Sequence, residues 1–115
     1  MKEYHKIKSL YERDHQTKEL IEGKYADETI EFLKDNKWEF TEKIDGTNIR
    51  ILWDGHKVTF AGRTDNAQIP AELTNRLFEL FGGEQNEQLF EQKFGNMTVM
   101  LVGEGYRQKN SKCRF

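Results

Sequence analysis

Cysteine occurs once in the 115 residues, as Cys113, and proline once, as Pro70. A single thiol excludes an internal disulfide framework and any zinc site built on cysteine pairs. The scarcity of proline excludes a proline-rich linker dividing the chain. No apolar run approaches the roughly 18 residues that a membrane span needs, and the opening MKEYHKIKSLYERD has no apolar stretch of the kind a secretory leader carries. The chain therefore reads as cytoplasmic, with no membrane partner. Charge of one sign is missing too: 18 basic and 20 acidic residues leave a net charge of -2. Any anionic partner must be gripped by a local site rather than drawn in by a global field.

What is present suits a small folded domain. Hydrophobic residues make up 36%, aromatics 12% and charged residues 33%, too much apolar material for a disordered chain and enough charge for a well-wetted surface. At this length one contiguous unit over 1–115 is expected, with a core of its own and little stability to spare.

Residues 1–25 are strongly polar with scattered Ile7, Leu10, Tyr11, Leu20 and Ile21, and read as a mostly irregular arm. Asp27 to Lys37 fits a short helix with an acidic first turn, carrying Ile30 and Leu33. Trp38, Phe40, Ile49, Ile51 and Trp53 alternate with polar residues at strand period, which predicts strands on both sides of Asp45-Gly46. Asp54-Gly55, between Ile49–Trp53 and Val58–Ala61, is a strong hairpin signal. Pro70 heads a helix with Leu73, Leu77, Phe78 and Phe81, stopped by Gly82-Gly83, and residues 85–94 form another. Thr98 to Val102 is apolar nearly throughout, as a strand buried on both faces would be. These elements predict an α+β fold: a largely antiparallel sheet with flanking helices, in which Trp38, Phe40, Trp53, Phe78 and Phe81 pack the core. An exposed sheet edge would invite self-association.

Three segments attract chemical interest: Glu42-Lys43-Ile44-Asp45-Gly46, Gly62-Arg63 and Gly103-Glu104-Gly105. Lys-x-x-Gly occurs once, as often as composition alone gives it, so frequency decides nothing and context must. A lysine closing an apolar strand before a turn can face a cleft while its stem packs. As a nucleophile it must be neutral, which requires partial burial or neighbouring positive charge. Gly46 would let a phosphate or sugar approach the backbone, and Asp45 and Glu42 could accept hydrogen bonds from a ribose or base. The alternative for Lys43 is a surface lysine beside an ordinary turn. Arg63 could clamp phosphate with its guanidinium or be an exposed loop arginine. Glu104, directly after Val-Met-Leu-Val-Gly, is either a ligand for ribose hydroxyls or a metal, or a solvated acid at a strand end. His5, His15 and His56 share no ligand spacing, and no P-loop, Rossmann loop, HExxH or Ser/His/Asp pattern occurs.

In combination, EKIDGTNIR, GRTDNAQIP and LVGEG, together with the KIKSLYERD arm, resemble the covalent nucleotidyltransferase superfamily of ATP-dependent ligases and capping enzymes. The similarity is to the RNA ligase family that includes phage-type nick-sealing enzymes, and it covers essentially the whole chain. It implies a partial nucleotidyltransferase (ATP-grasp-like ligase) adenylation domain. It also implies a reaction in which a lysine takes AMP from ATP, passes it to an RNA 5′-phosphate, and a 3′-hydroxyl displaces it to seal the strand. By this resemblance Lys43 is the adenylylated nucleophile and Glu42 places the adenine through its backbone. Asp45, Gly46 and Asn48 belong to the same motif, Arg63 contacts phosphate and ribose, and Glu104 contacts ribose. Magnesium is the implied metal, and RNA, DNA or hybrid ends are the implied partners. The family's stacking aromatic strand, metal-associated glutamate and final lysine pair lie further along than Phe115. The resemblance is thus to an N-terminal portion, impaired alone and expecting a complementary C-terminal half or a second copy. A non-catalytic nucleotide- or RNA-binding remnant is the alternative, and a structural interaction domain a third.

Overall fold

A turn built on one aspartate opens the architecture. The Asp14 carboxylate accepts the backbone N–H groups of Gln16 (2.8 Å) and Thr17 (2.9 Å), Lys18 adopts a left-handed φ of 62°, and the Asp14 N–H donates to the Glu19 carbonyl at 2.8 Å. This turn joins β1 (Tyr11–Arg13) to β2 (Leu20–Tyr25) as an antiparallel pair whose register shifts between Tyr11 and Arg13, and the Tyr11 and Tyr25 rings meet at 5.5 Å. The irregular arm expected over 1–25 is corrected here: its turn uses an Asx contact and a left-handed lysine instead of a glycine pair. Helix α1 (Glu28–Leu33) follows, capped by Asp27, whose carboxylate accepts the Ile30 N–H at 2.8 Å. The computed structural model describes residues 1–107 and 113–114. His5–Glu42 form one compact unit, and Met1–Tyr4 with Lys43–Phe115 form another.

The second unit is built on strand β3 (Thr47–Trp53). Around it run β4 (Val58–Ala61), α2 (Ala71–Phe81), α3 (Gly83–Phe94), β5 (Val99–Arg107) and β6 (Cys113–Arg114), giving a four-stranded antiparallel sheet of order β4-β3-β5-β6. The expected α+β class with antiparallel sheet and helices is what the chain adopts. At the hairpin the Asp54 carboxylate accepts the N–H groups of His56 and Lys57, both at 2.8 Å. Gly55 has φ +96°, and a Cβ there would meet the Asn96 carbonyl oxygen at 3.0 Å, so glycine is required twice over. At the outer edge the Val58 N–H donates to the Glu87 carboxylate of α3 at 3.1 Å.

Odd-numbered β3 residues face the helices. Ile49, Ile51 and Trp53 are buried with Leu73 and Leu77 of α2 and Phe90 of α3. Trp53 stacks on Phe90 at 5.6 Å and donates its indole N–H to the Gly95 carbonyl at 3.0 Å. Pro70 stands just before α2, and its carbonyl accepts the Thr74 N–H at 2.9 Å.

Three expectations are corrected. Residues 38–44 form no strand: Trp38 and Phe40 alternate, but no strand among the described residues pairs with them, and an isolated strand has no ladder to hold it. Trp38, Phe40 and Phe78 are exposed rather than core. Strand β5 is half-buried rather than covered on both faces, and it continues past Val102 to Arg107, so Glu104 lies within the strand. No helix among the described residues is long and apolar enough to cross a membrane.

Leu77→Ala is expected to cost about 2–5 kcal/mol as an unfilled core cavity, whereas Leu89→Ala, at 61% exposure, should stay within about 0.5 kcal/mol. Urea unfolding midpoints of the two variants check this.

Candidate functional site

Because side chains alternate along a strand, the even positions of β3 lie on the sheet face away from α2 and α3. Asn48 and Arg50 stand there, with Glu104 paired directly opposite Asn48 and Val102 opposite Arg50. Direct cross-strand partners share a face and stand within about 5.5 Å at Cβ, so two residues remote in sequence become neighbours. Both are half-buried. The Asn48 side-chain oxygen Oδ1 is enclosed and accepts no hydrogen bond among the described residues, and such a group carries the cost of an unmade bond until a donor arrives.

Arg50 is the residue that sequence reasoning passed over. An arginine between two isoleucines at strand period reads as a solvated polar position, yet its exposure is 0%. Its Nε donates to the Gly62 carbonyl (2.7 Å), Nη1 to the carbonyls of Met1 and Lys2 (both 2.9 Å), and Nη2 to Asp65 Oδ1 (2.8 Å). Asp65 also pairs with the N-terminal ammonium at 3.3 Å. The hydrogen bond from Arg50, then that from the ammonium, hold the Asp65 carboxyl below its ordinary value of 3.8. A signal for Arg50 exists only in the pairing with Asp65 beyond the hairpin, which no local pattern reveals.

This clamp fixes the chain on both sides of Arg63. Since Arg50 pairs with Ala61 in the antiparallel register, the chain leaving β4 through Gly62 and Arg63 emerges at the end of β3 where Asn48 stands. Arg63 itself is exposed and makes no ion pair among the described residues. Lys43, Ile44, Asp45 and Gly46 enter β3 at that same end. Gly46 packs so closely on the Gly105 carbonyl and the Tyr106 Cβ that no side chain fits there. Lys43 and Asp45 are exposed, on irregular chain and not at the close of a strand. Glu42 is the last residue of the His5–Glu42 unit and is likewise exposed.

The structure thus sets Glu104 opposite Asn48, packs Gly46 on Gly105 and Tyr106 beside them, brings the Arg63 loop to the same sheet end, and leaves Lys43 and Asp45 on the approach. No group of three His, Cys, Asp or Glu side chains suited to a metal occurs among the described residues. No known protein family, curated protein or solved structure matches this chain.

Arg50→Lys should destabilise the fold by roughly 2–3 kcal/mol, since one ammonium cannot span four acceptors set around a planar fork; chemical denaturation measures it. For Asp65 the folded pKa is depressed, so its contribution is present above the ordinary carboxylate range and lost as pH falls through the folded value. Asp65→Asn should therefore lower Tm at neutral pH and converge with the parent in acid, as pH falls below the ordinary carboxylate value of 3.8 and through the lower folded one, in a Tm-against-pH series.

Proposed function

We propose that this chain is the N-terminal portion of an ATP-dependent RNA ligase adenylation domain. What carries the proposal is the pairing of Asn48 with Glu104 on the sheet face away from α2 and α3: an enclosed amide oxygen with no donor among the described residues, beside a carboxylate, is an acceptor pair, and a ribose diol supplies the matching donors. Arg63, on a loop anchored by Arg50, takes phosphate at the same sheet end, whereas Gly46, expected to let a nucleotide approach the backbone, instead gives its bare face to the Gly105 carbonyl and the Tyr106 Cβ of β5. The Lys43 amine, once deprotonated, attacks the α-phosphorus of ATP. A P–N bond forms and pyrophosphate leaves; a 5′-phosphate oxygen then takes AMP from the lysine, freeing its amine, and a 3′-hydroxyl attacks that 5′-phosphorus and expels AMP to seal the strand. With no three-residue metal cluster among the described residues, magnesium would arrive on triphosphate oxygens rather than in a protein cage. RNA is the proposed substrate, DNA and hybrid ends being the neighbouring possibilities.

One observation favours a second reading. Lys43 is exposed, and burial is one of the two means by which a lysine becomes a nucleophile at neutral pH. A nucleotide-binding remnant would keep Asn48, Glu104 and Arg63 in use with no covalent step.

Intact-protein mass after incubation with ATP and magnesium separates the two. A gain of one AMP in the parent and none in Lys43→Ala is expected for the ligase reading. No adduct, but a rise in Tm with ATP that Glu104→Ala abolishes, would mean binding alone. Neither adduct nor Tm shift would overturn both.

A further inference from the structure

The His5–Glu42 unit holds a cavity of about 630 Å³, within the range of small-molecule sites. Leu10, Tyr25, Ile30, Trp38 and Phe40 form its apolar wall. Trp38 spends its only N–H on the Leu33 carbonyl at 3.0 Å, which fixes the indole and leaves it hydrocarbon to offer. Phe40 is 92% exposed and Trp38 47%, so both rings present area that nothing in their own unit covers.

The charged groups on the lining are unequal in sign. Lys6, Lys8 and Lys34 face a single carboxylate, Asp27. Asp27 is already committed: it caps α1 through the Ile30 N–H and pairs with Lys8 at 3.2 Å. Lys34 lies 6.0 Å from the centre of the Tyr25 ring, a contact that leaves its charge uncompensated, and Lys6 has no carboxylate partner among the described residues. The unit as a whole carries seven basic and ten acidic residues, so a polyanion would be repelled while one small anion could be held at this mouth.

We propose that this cavity binds a small amphipathic anion, an apolar body seated against the aromatic wall with one carboxylate, sulfonate or phosphate held by Lys6 and Lys34. Every residue involved belongs to the His5–Glu42 unit, so the inference stands apart from the ligase reading and survives its failure.

Decanoate is the probe, with decyltrimethylammonium and decanol as matched controls, on the full chain. Calorimetry should give one decanoate per chain, with affinity rising about fourfold per methylene through the hexanoate, octanoate and decanoate series. Fluorescence should shift at Trp38, with Trp53 buried in the core as the internal reference. The double variant Lys6→Ala/Lys34→Ala should weaken decanoate about tenfold or more and leave decanol unchanged, while Phe40→Ala should weaken both. All three side chains are exposed, so these variants keep the fold, which far-UV circular dichroism verifies. Decyltrimethylammonium binding as tightly as decanoate, an unaffected lysine double variant, or no saturable binding would each overturn the proposal. So would self-association that Phe40→Ser abolishes and decanoate fails to compete with, which would make the wall an interface between copies.

Discussion

The guanidinium of Arg50 is a permanent charge with no access to water, and a buried charge is tolerated only when its donors are answered. Five N–H groups in a rigid fork need acceptors at set directions. The chain supplies four, from the exit of β4, from Asp65 and from the carbonyls of Met1 and Lys2. The positions of those segments follow from that demand. The stretch from Gly62 to Asp65, which carries no apolar side chain, is held by the electrostatic need of a strand residue, and Arg63 inherits a defined place in the fold as a result.

The same strand serves two faces with different physics. On one, Ile49, Ile51 and Trp53 exclude water against α2 and α3; on the other, Asn48 and Arg50 organise polar groups. Since both sets hang from one backbone, the core sets the position of Asn48 and, through the β3–β5 register, of Glu104. Precision in a binding site comes from such rigid support. Lys43 and Asp45 lack it, entering on irregular and exposed chain, and so are less constrained than Asn48 and Glu104.

Local signals were legible. The Asp54-Gly55 hairpin, the helix with Leu73 and Leu77, and the short helix after Asp27 all formed where spacing and turn chemistry pointed, because their causes lie within a few residues. The first hairpin escaped because an Asx turn with a left-handed lysine leaves no glycine signature, and β2 is too exposed to show alternating burial. Trp38 and Phe40 misled because strand period says nothing about whether a partner strand exists. Of the candidate site, residue identities could be named from the chain, but the apposition of Asn48 and Glu104 depends on register between distant strands. Arg50 was invisible for the same reason: its acceptors lie 12 to 49 residues away.

Strand β4 is an open sheet edge, yet its first rung is already occupied. The Glu87 carboxylate from α3 takes the Val58 amide, so a foreign strand seeking to extend the sheet must displace an anion to gain that bond, and its own carbonyl oxygens meet negative charge on approach. Helix α3 thereby does more than cover the core: it acts as a gatekeeper against edge-to-edge polymerisation, biasing this small sheet toward remaining finite.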